Sequence, residues 1–274
     1  MALENFIPEI WSARLLETLK EAHVMANVVN RDYEGEISGF GDTVRINSIG
    51  NVAIKDYAKN TDMDAAETLD DAQTILLIDQ QKYFNFQIDD IDKAQQNPKV
   101  MDAAMREAGY GLARAADLYV AGLHGDAASE VTDAAMDEDT VYDTIAKTAE
   151  KLDENNVPRE GRFYVVPPFM AKYMTLAEIL TTAGSVDAND VNRNGFVGRL
   201  LGFDIYMSNN LSKVVDDTMA LAGTRKAISY AEQIMDMEGY RPEKRFADAM
   251  KGLHVYGAKV VYPNALVRVK IKEA

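Results

Sequence analysis

Cysteine is absent from all 274 residues of the chain, so disulfide bonds, cysteine-ligated zinc and thiol nucleophiles are excluded. Long apolar runs are absent as well: no stretch approaches the roughly 20 residues that a helix needs to span a bilayer. The opening residues Met1-Ala2-Leu3-Glu4-Asn5 lack the basic region and apolar core of a secretory signal. The chain therefore reads as one made and kept in a cytoplasm, with no membrane partner. In that setting the sequon-like Asn210-Leu211-Ser212 is a chance match. Histidine is scarce. His23, His124 and His254 are far apart, with no His-Glu-x-x-His or Ser/His/Asp pattern around them, and a structural role fits each better than catalysis. Glycine forms no phosphate cradle. Gly39-Phe40-Gly41 lacks the rest of a dinucleotide fingerprint, no Walker-type loop exists, and Gly195, Gly198 and Gly202 read as a turn-rich start to a strand. Positive charge is in deficit, with 29 Lys and Arg against 44 Asp and Glu, a net −15. A general nucleic-acid binder needs a concentrated basic patch and is excluded; a protein that encloses nucleic acid without gripping it is not.

What remains is an ordinary globular composition, 47% hydrophobic and 27% charged, in a chain long enough for one large domain or two modest ones with a real core. The informative stretch runs from Ala66 to Gly125. Lys82-Tyr83-Phe84-Asn85-Phe86-Gln87-Ile88 alternates cleanly, placing Phe84, Phe86 and Ile88 on one face and Tyr83, Asn85 and Gln87 on the other. That is the pattern of a half-buried strand. Thr74–Ile78 is a second β-rich run, and Asp79-Gln80-Gln81 between them suits a turn or a bend; a more distal turn at 63–71 would make the hairpin much longer. A two-stranded hairpin is marginal alone in water. It packs either on its own domain or on a neighbouring subunit, and the sequence leaves both open.

Asn97 and Pro98 then start a long helix as cap and first residue. It runs to about Leu123 and is closed by His124 and Gly125. Val100, Ala104, Ala108, Leu112, Ala115, Tyr119 and Leu123 form one mostly small stripe, the mark of a central spine approached closely by another element. Gly109 and Gly111 each cost roughly 1 kcal/mol against alanine, and close packing or a bend is the expected reason for them. Neither hairpin nor helix carries a catalytic constellation, so the chain is better suited to building than to converting.

Elsewhere the pattern is mixed. Residues 8–25 read as an amphipathic helix with Trp11, Leu15, Leu19, Ala22 and Ala26 on one face, either docked on its own domain or reaching over a neighbour, where Trp11 would anchor it. Residues 42–54 are strand-like around the turn chemistry of Asn47-Ser48-Ile49-Gly50-Asn51, and 56–71 form an acidic tip. Residues 127–139 read as a linker. Then come a helix at 141–152, a buried strand at 162–166, a short helix from Pro167-Pro168 to Met174, a polar loop at 179–194 and a strand at 200–207. Met219–Ala222 and Ala227–Tyr230 complete a small α/β unit ending near Met235. The C-terminal part is strongly β, with 252–262 broken by Pro263-Asn264 before 265–271. The fold class is α+β.

Three acidic runs could carry chemistry. Asp190-Val191-Asn192-Arg193-Asn194-Gly195 matches the first six positions of a calcium loop, but the twelfth is Leu201 rather than glutamate and no helix pair flanks it, so an Asx-rich turn is preferred. Asp89-Asp90-Asp92 and Asp137-Glu138-Asp139 are carboxylate runs without histidine or aromatic companions. A solvated face is preferred to a metal-dependent or carboxylate hydrolase. No catalytic residue, metal or cofactor is expected.

The order of these parts resembles the tailed-bacteriophage major capsid proteins of the Hong Kong 97 fold: N-terminal arm, extended hairpin, spine helix, α/β unit and return to long strands. The stretch Asn194–Asn210 is similar to the Gly-x-(Leu/Ile)-x-Gly-Phe-x-(Ile/Val)-x-x-Ser-Asn run of such coat proteins, and Lys251–Leu266 to their C-terminal strands. The resemblance implies an arm over 1–41, an extended loop over 50–90, a peripheral domain from 42–49, 91–130 and 240–274, and an axial domain over 131–239 whose 179–194 loop meets others at capsomer centres. It also implies assembly with itself into hexamers and pentamers of an icosahedral shell around double-stranded DNA held without sequence-specific binding, in a virion assembled in the bacterial cytoplasm. A separate scaffolding protein, a portal and a decoration protein are its implied partners; a chain that starts almost at the arm either uses such a scaffold or is a mature form. Trp11, Leu15, Tyr83, Phe84, Phe86 and Ile88 are the expected inter-subunit contacts. An encapsulin-like nanocompartment is the alternative within the fold.

Overall fold

The computed structural model describes residues 15, 23–33, 40–49, 59, 71–89, 100–179, 195–244 and 246–274. Trp11, the Asn97-Pro98 helix start, Asp90 and Asp92, and nearly all of the acidic tip, the 179–194 loop and the calcium-like run lie outside the described residues.

Among the described residues three sheets carry the fold. Strands β1 (Thr43–Ile49) and β2 (Asp71–Leu77) form an antiparallel arm with Val44 opposite Leu76 and Ile46 opposite Thr74. Strand β3 (Gln80–Asp89) joins β10 (Ile228–Tyr240) and β11 (Ala247–Val260) in an antiparallel sheet ordered β10-β11-β3. The seven-stranded sheet is ordered β4-β12-β9-β5-β7-β6, with β8 beside β9; these strands span Ser129–Met136 (β4), Arg162–Val166 (β5), Phe196–Leu200 (β6), Phe203–Met207 (β7), Ser212–Val214 (β8), Asp217–Thr224 (β9) and Leu266–Glu273 (β12). The chain's last strand thus lies inside that sheet, parallel to β4 and antiparallel to β9.

Four helices complete the described residues: α1 (Met25–Val28), the spine α2 (Val100–Gly122), α3 (Val141–Glu154) and α4 (Pro168–Leu176). Helix α3 covers β4 and β12 through Val141, Ile145, Thr148 and Leu152, one face at helical spacing, all buried. Every residue of β5 is buried, as expected for a strand with both faces covered. Asn30 tethers the N-terminal segment to the edge of β10: its N–H donates to the Ile228 carbonyl at 3.0 Å and its carbonyl accepts from Tyr230 at 2.8 Å.

Several expectations are corrected. Thr74–Ile78 and Lys82–Ile88 do not pair with each other; the first pairs with β1 and the second with β11. Alternation fixes which side chains share a face and is blind to which strand lies alongside. The chain bends at Ile78 and Asp79 and crosses β11 at Gly257, where a methyl group would collide with the Leu77 carbonyl and lie 3.0 Å from the Ile78 Cα. Asn47, Ser48 and Ile49 are strand rather than turn, held by pairing with Gln73, Ala72 and Asp71, a case of ladder bonds overriding local preference. The expected linker at 127–139 contains β4, an edge strand needing few apolar residues; Val131 and Met136 are its buried pair. The expected strand at 200–207 is the second half of a β6–β7 hairpin, whose two-residue turn puts Leu201 at φ 50° and Gly202 at φ 86°, the signature of a primed turn. Strand β10 leaves the α/β unit for the three-stranded sheet.

The spine helix buries a different stripe from the expected one. Met105, Gly109, Leu112, Ala113, Ala116, Asp117, Val120 and Ala121 face inward, while Ala104, Ala108, Ala115, Tyr119 and Leu123 are half-buried flanks. The true stripe is rotated by about one residue, because alanines on both sides leave the apolar face wide and its centre undefined. Gly111 faces solvent with nothing near a Cβ position, so close packing does not explain it.

Candidate assembly surfaces

The arm has two unlike faces. Val44, Ile46, Leu76 and Ile78 point inward and pack with Ala231 and Val255 of the three-stranded sheet. On the outward face Arg45 stands opposite Ile75 and Thr43 opposite Leu77, with Ile75 51% and Leu77 47% exposed. Aliphatic side chains at that exposure, side by side on one strand face, are the kind of surface that an interface covers.

The predicted contact residues fall into separate places. Tyr83 is 78% exposed on the outer face of β3. Phe84 and Phe86 lie on the inner face with rings 6.0 Å apart and 24° between their planes, half-buried against Met105, Leu112, Ala113 and Met250. Leu15 is fully buried in that same cluster, which brings an N-terminal residue between the spine helix and the three-stranded sheet. Ile88 is half-buried on the Phe84–Phe86 face. The expected alternation of β3 is thus reproduced residue by residue.

Behind the arm lies a knot of buried charge. His23 sits between two carboxylates: its Nδ1 is 3.3 Å from Asp117 Oδ1 on the spine helix, and its Nε2 is 3.2 Å from Glu232 Oε2 on β10. The Glu232 approach is oblique, an ion-pair contact rather than a straight hydrogen bond. Asp117 also accepts three backbone N–H groups, from Val24 at 3.0 Å, Met25 at 3.1 Å and Ala26 at 3.2 Å. A side chain more than 90 residues away in sequence therefore caps α1, whose first N–H groups have no partner within the helix. Glu232 gathers Arg31, the Tyr230 hydroxyl at 2.6 Å and His254 Nε2 at 3.0 Å. Burial alone would raise the Glu232 carboxyl; the contacts from His23 and His254 and the charge of Arg31 outweigh it and hold it well below the usual carboxylate range. Burial also pushes the Tyr230 phenol well above its usual value, helped by the Glu232 charge.

None of Asp117, Glu232 and Arg31 was singled out in the sequence. The available signal was Asp117 itself, a lone acid at helical spacing from Ala113 and Val120; it was hidden by the stripe drawn one residue off. The Asp137 run has a local job. Asp137 Oδ1 accepts the N–H groups of Thr140 at 2.9 Å and Asp139 at 3.0 Å, Thr140 Oγ1 accepts the Asp137 N–H at 3.1 Å, and α3 follows. The backbone N–H of Thr140 is the main reason the Asp137 carboxyl is held below its usual range. Among the described residues no group of three His, Asp or Glu side chains is arranged to hold a metal ion.

Comparison with known proteins places this geometry. A family model described as phage capsid protein matches residues 73–269. A chain from Mycobacterium phage Che8 is similar at 34% identity over 90% of both chains, with a TM-score of 0.70. The capsid of cyanophage P-SCSP1u is similar at 17% identity, covering 92% of this chain and 87% of that one, with a TM-score of 0.67. A virus-like particle from Pyrococcus furiosus is similar at 12% identity, covering 94% and 96%, with a TM-score of 0.59. The last two likenesses are of fold alone. No curated protein matches the chain.

Proposed function

The chain belongs to the phage capsid protein family and has the Hong Kong 97 fold, and from that premise we propose that it assembles into hexamers and pentamers of an icosahedral shell around double-stranded DNA. The observation that carries the proposal is the match to a phage chain at 34% identity across 90% of both lengths. Three features support it. The arm keeps one face for its own sheet and leaves Ile75 and Leu77 for a second copy. Tyr83 is offered outward on the neighbouring strand. The net charge of −15 suits an inner wall that does not stick to packaged DNA. A shell is closed by many modest heterologous contacts repeated with symmetry, and such faces are what it needs.

In this reading the residues up to 41 act as an N-terminal arm, distinct from the β1–β2 arm, and the 50–90 region, which holds β2, reaches over a neighbour. Residues 42–49, 91–130 and 240–274 form the peripheral domain and 131–239 the axial one, with β12 adding its pairing to the axial sheet. A scaffolding protein, a portal and a decoration protein complete the assembly, whose product is the virion. The chain's role is structural rather than enzymatic. Negative-stain microscopy with sedimentation tests it: closed shells or capsomer rings are expected, with DNA inside shells recovered from infected cells. A homogeneous monomer that never assembles, even with its scaffold, overturns the proposal, and shells filled with protein cargo instead of DNA move it to a nanocompartment.

A further inference from the structure

We propose that residues 23–26 form a proton-held strap: a cationic His23 ring, gripped from opposite sides by the spine helix and the three-stranded sheet, fastens them to the body, and loss of its proton frees them while the Asn30 tether to β10 stays. The geometry favours the cation. Both ring nitrogens face carboxylate oxygens, at 3.3 Å and 3.2 Å, and a neutral imidazole has only one N–H to offer. A neutral ring protonated at Nε2 would turn the Nδ1 lone pair onto Asp117, and one protonated at Nδ1 would leave the Nε2 lone pair 3.2 Å from Glu232 with no proton between them. His23 and Asp117 are both fully buried, so water cannot relieve that clash.

The groups around the ring make its loss unequal. Glu232 keeps Arg31, the Tyr230 hydroxyl and His254 Nε2 when His23 turns neutral. Tyr230 meets the His23 ring edge-on at 6.2 Å, and Tyr256 lies behind at 5.0 Å from the His254 ring; neither phenol supplies a positive charge. Among the described residues the only cationic group at Asp117 is His23. Deprotonation therefore strands the Asp117 charge, and Asp117 is the group that holds the N–H groups of Val24, Met25 and Ala26. The weak point falls on the strap and not on the sheet. The pKa direction agrees: burial opposes the charge, the bond to Asp117 and the ion pair with Glu232 more than offset it, and His23 is pushed up to about 9. The strap is thus closed at neutral pH and opens on the alkaline side.

Hydrogen exchange on the full chain, dispersed below the concentration at which it associates, tests this between pH 7 and 10. Protection of the Val24, Met25 and Ala26 amides, corrected for the intrinsic pH dependence of exchange, is expected to fall at least about tenfold between pH 8 and 10. Protection across β5 stays level. His23→Gln removes the step and leaves the strap amides weakly protected throughout, while His254→Gln keeps the step. A flat profile in the unmodified chain, a step that survives in His23→Gln, or a step lost in His254→Gln overturns the proposal. Should His23→Gln fail to fold, the unmodified chain and His254→Gln still decide it.

Discussion

The seven-stranded sheet and the arm beside the three-stranded sheet are built on opposite terms. In the first, β5 is buried along its whole length, β9 buries its six central residues, and α3 closes over β4 and β12. That region closes its own core, although Leu176, Val214 and Val215 stay exposed at its rim. In the second, Val44, Ile46, Leu76 and Ile78 are buried while Ile75, Leu77 and Tyr83 stay in water. One side is finished, and in the proposed assembly the other is left for a second copy. A subunit of a shell needs both: a body that folds before assembly, and a limb whose remaining apolar surface is covered only by assembly.

The sharpest way to break this contrast is to damage the finished region. Phe203 is fully buried on β7, edge-on to Tyr164 at 5.6 Å and beneath the Arg162 guanidinium at 5.9 Å. Phe203→Ala is expected to cost about 4 kcal/mol, read as a large drop in the urea midpoint of the unassembled chain, with assembly lost only because folding is. A loss below about 1 kcal/mol would mean that this sheet is looser than its burial implies.

The join between the two regions should respond to pH. His23 is raised from its ordinary 6.5 to about 9 in the folded chain. Its contribution is therefore complete below pH 6.5 and disappears as pH rises through 9, a span worth about 3 kcal/mol by proton linkage. Urea unfolding at pH 6, 7.5 and 9 should show that decline in the unmodified chain and a flatter profile in His23→Gln. The crossing at Gly257 is the next weaker point. Gly257→Ala forces a methyl group against the Leu77 carbonyl and the backbone of Ile78, and a cost of about 2 kcal/mol is expected from overpacking. Proteolysis should then cut the arm while β5 and β9 stay intact.

The two regions also differed in how far they could be read from sequence. Arg162–Val166 and Val141–Leu152 were legible because each runs a complete local pattern, a continuous apolar strand and a helix with one apolar face. The faces of β3 were legible for the same reason. Its partner was not: nothing between Gln80 and Asp89 says that Ala247–Tyr256 lies alongside, since pairing across more than 150 residues is chosen by the whole fold. Strand β4 was missed because an edge strand with two buried side chains looks like a linker. The knot was missed for a harder reason. His23, Asp117, Glu232 and His254 are each unremarkable in their own segment, and their charge has meaning only where four elements meet.

The smallest folding effect is expected on the unfinished face, and there it is most informative. Ile75 and Leu77 are about half exposed, and surface substitutions away from caps and charges stay within about 0.5 kcal/mol. Threonine keeps a β-branched shape suited to a strand while removing apolar surface. The Ile75→Thr, Leu77→Thr double variant should therefore unfold at nearly the same urea concentration as the unmodified chain. If a second copy covers this face, sedimentation should nevertheless show fewer and less stable shells, because each contact is repeated around every capsomer. Unchanged shells from a normally folded variant would mean that the outer face of the arm stays in solvent in the assembly, and would leave Tyr83 as the exposed contact to test next.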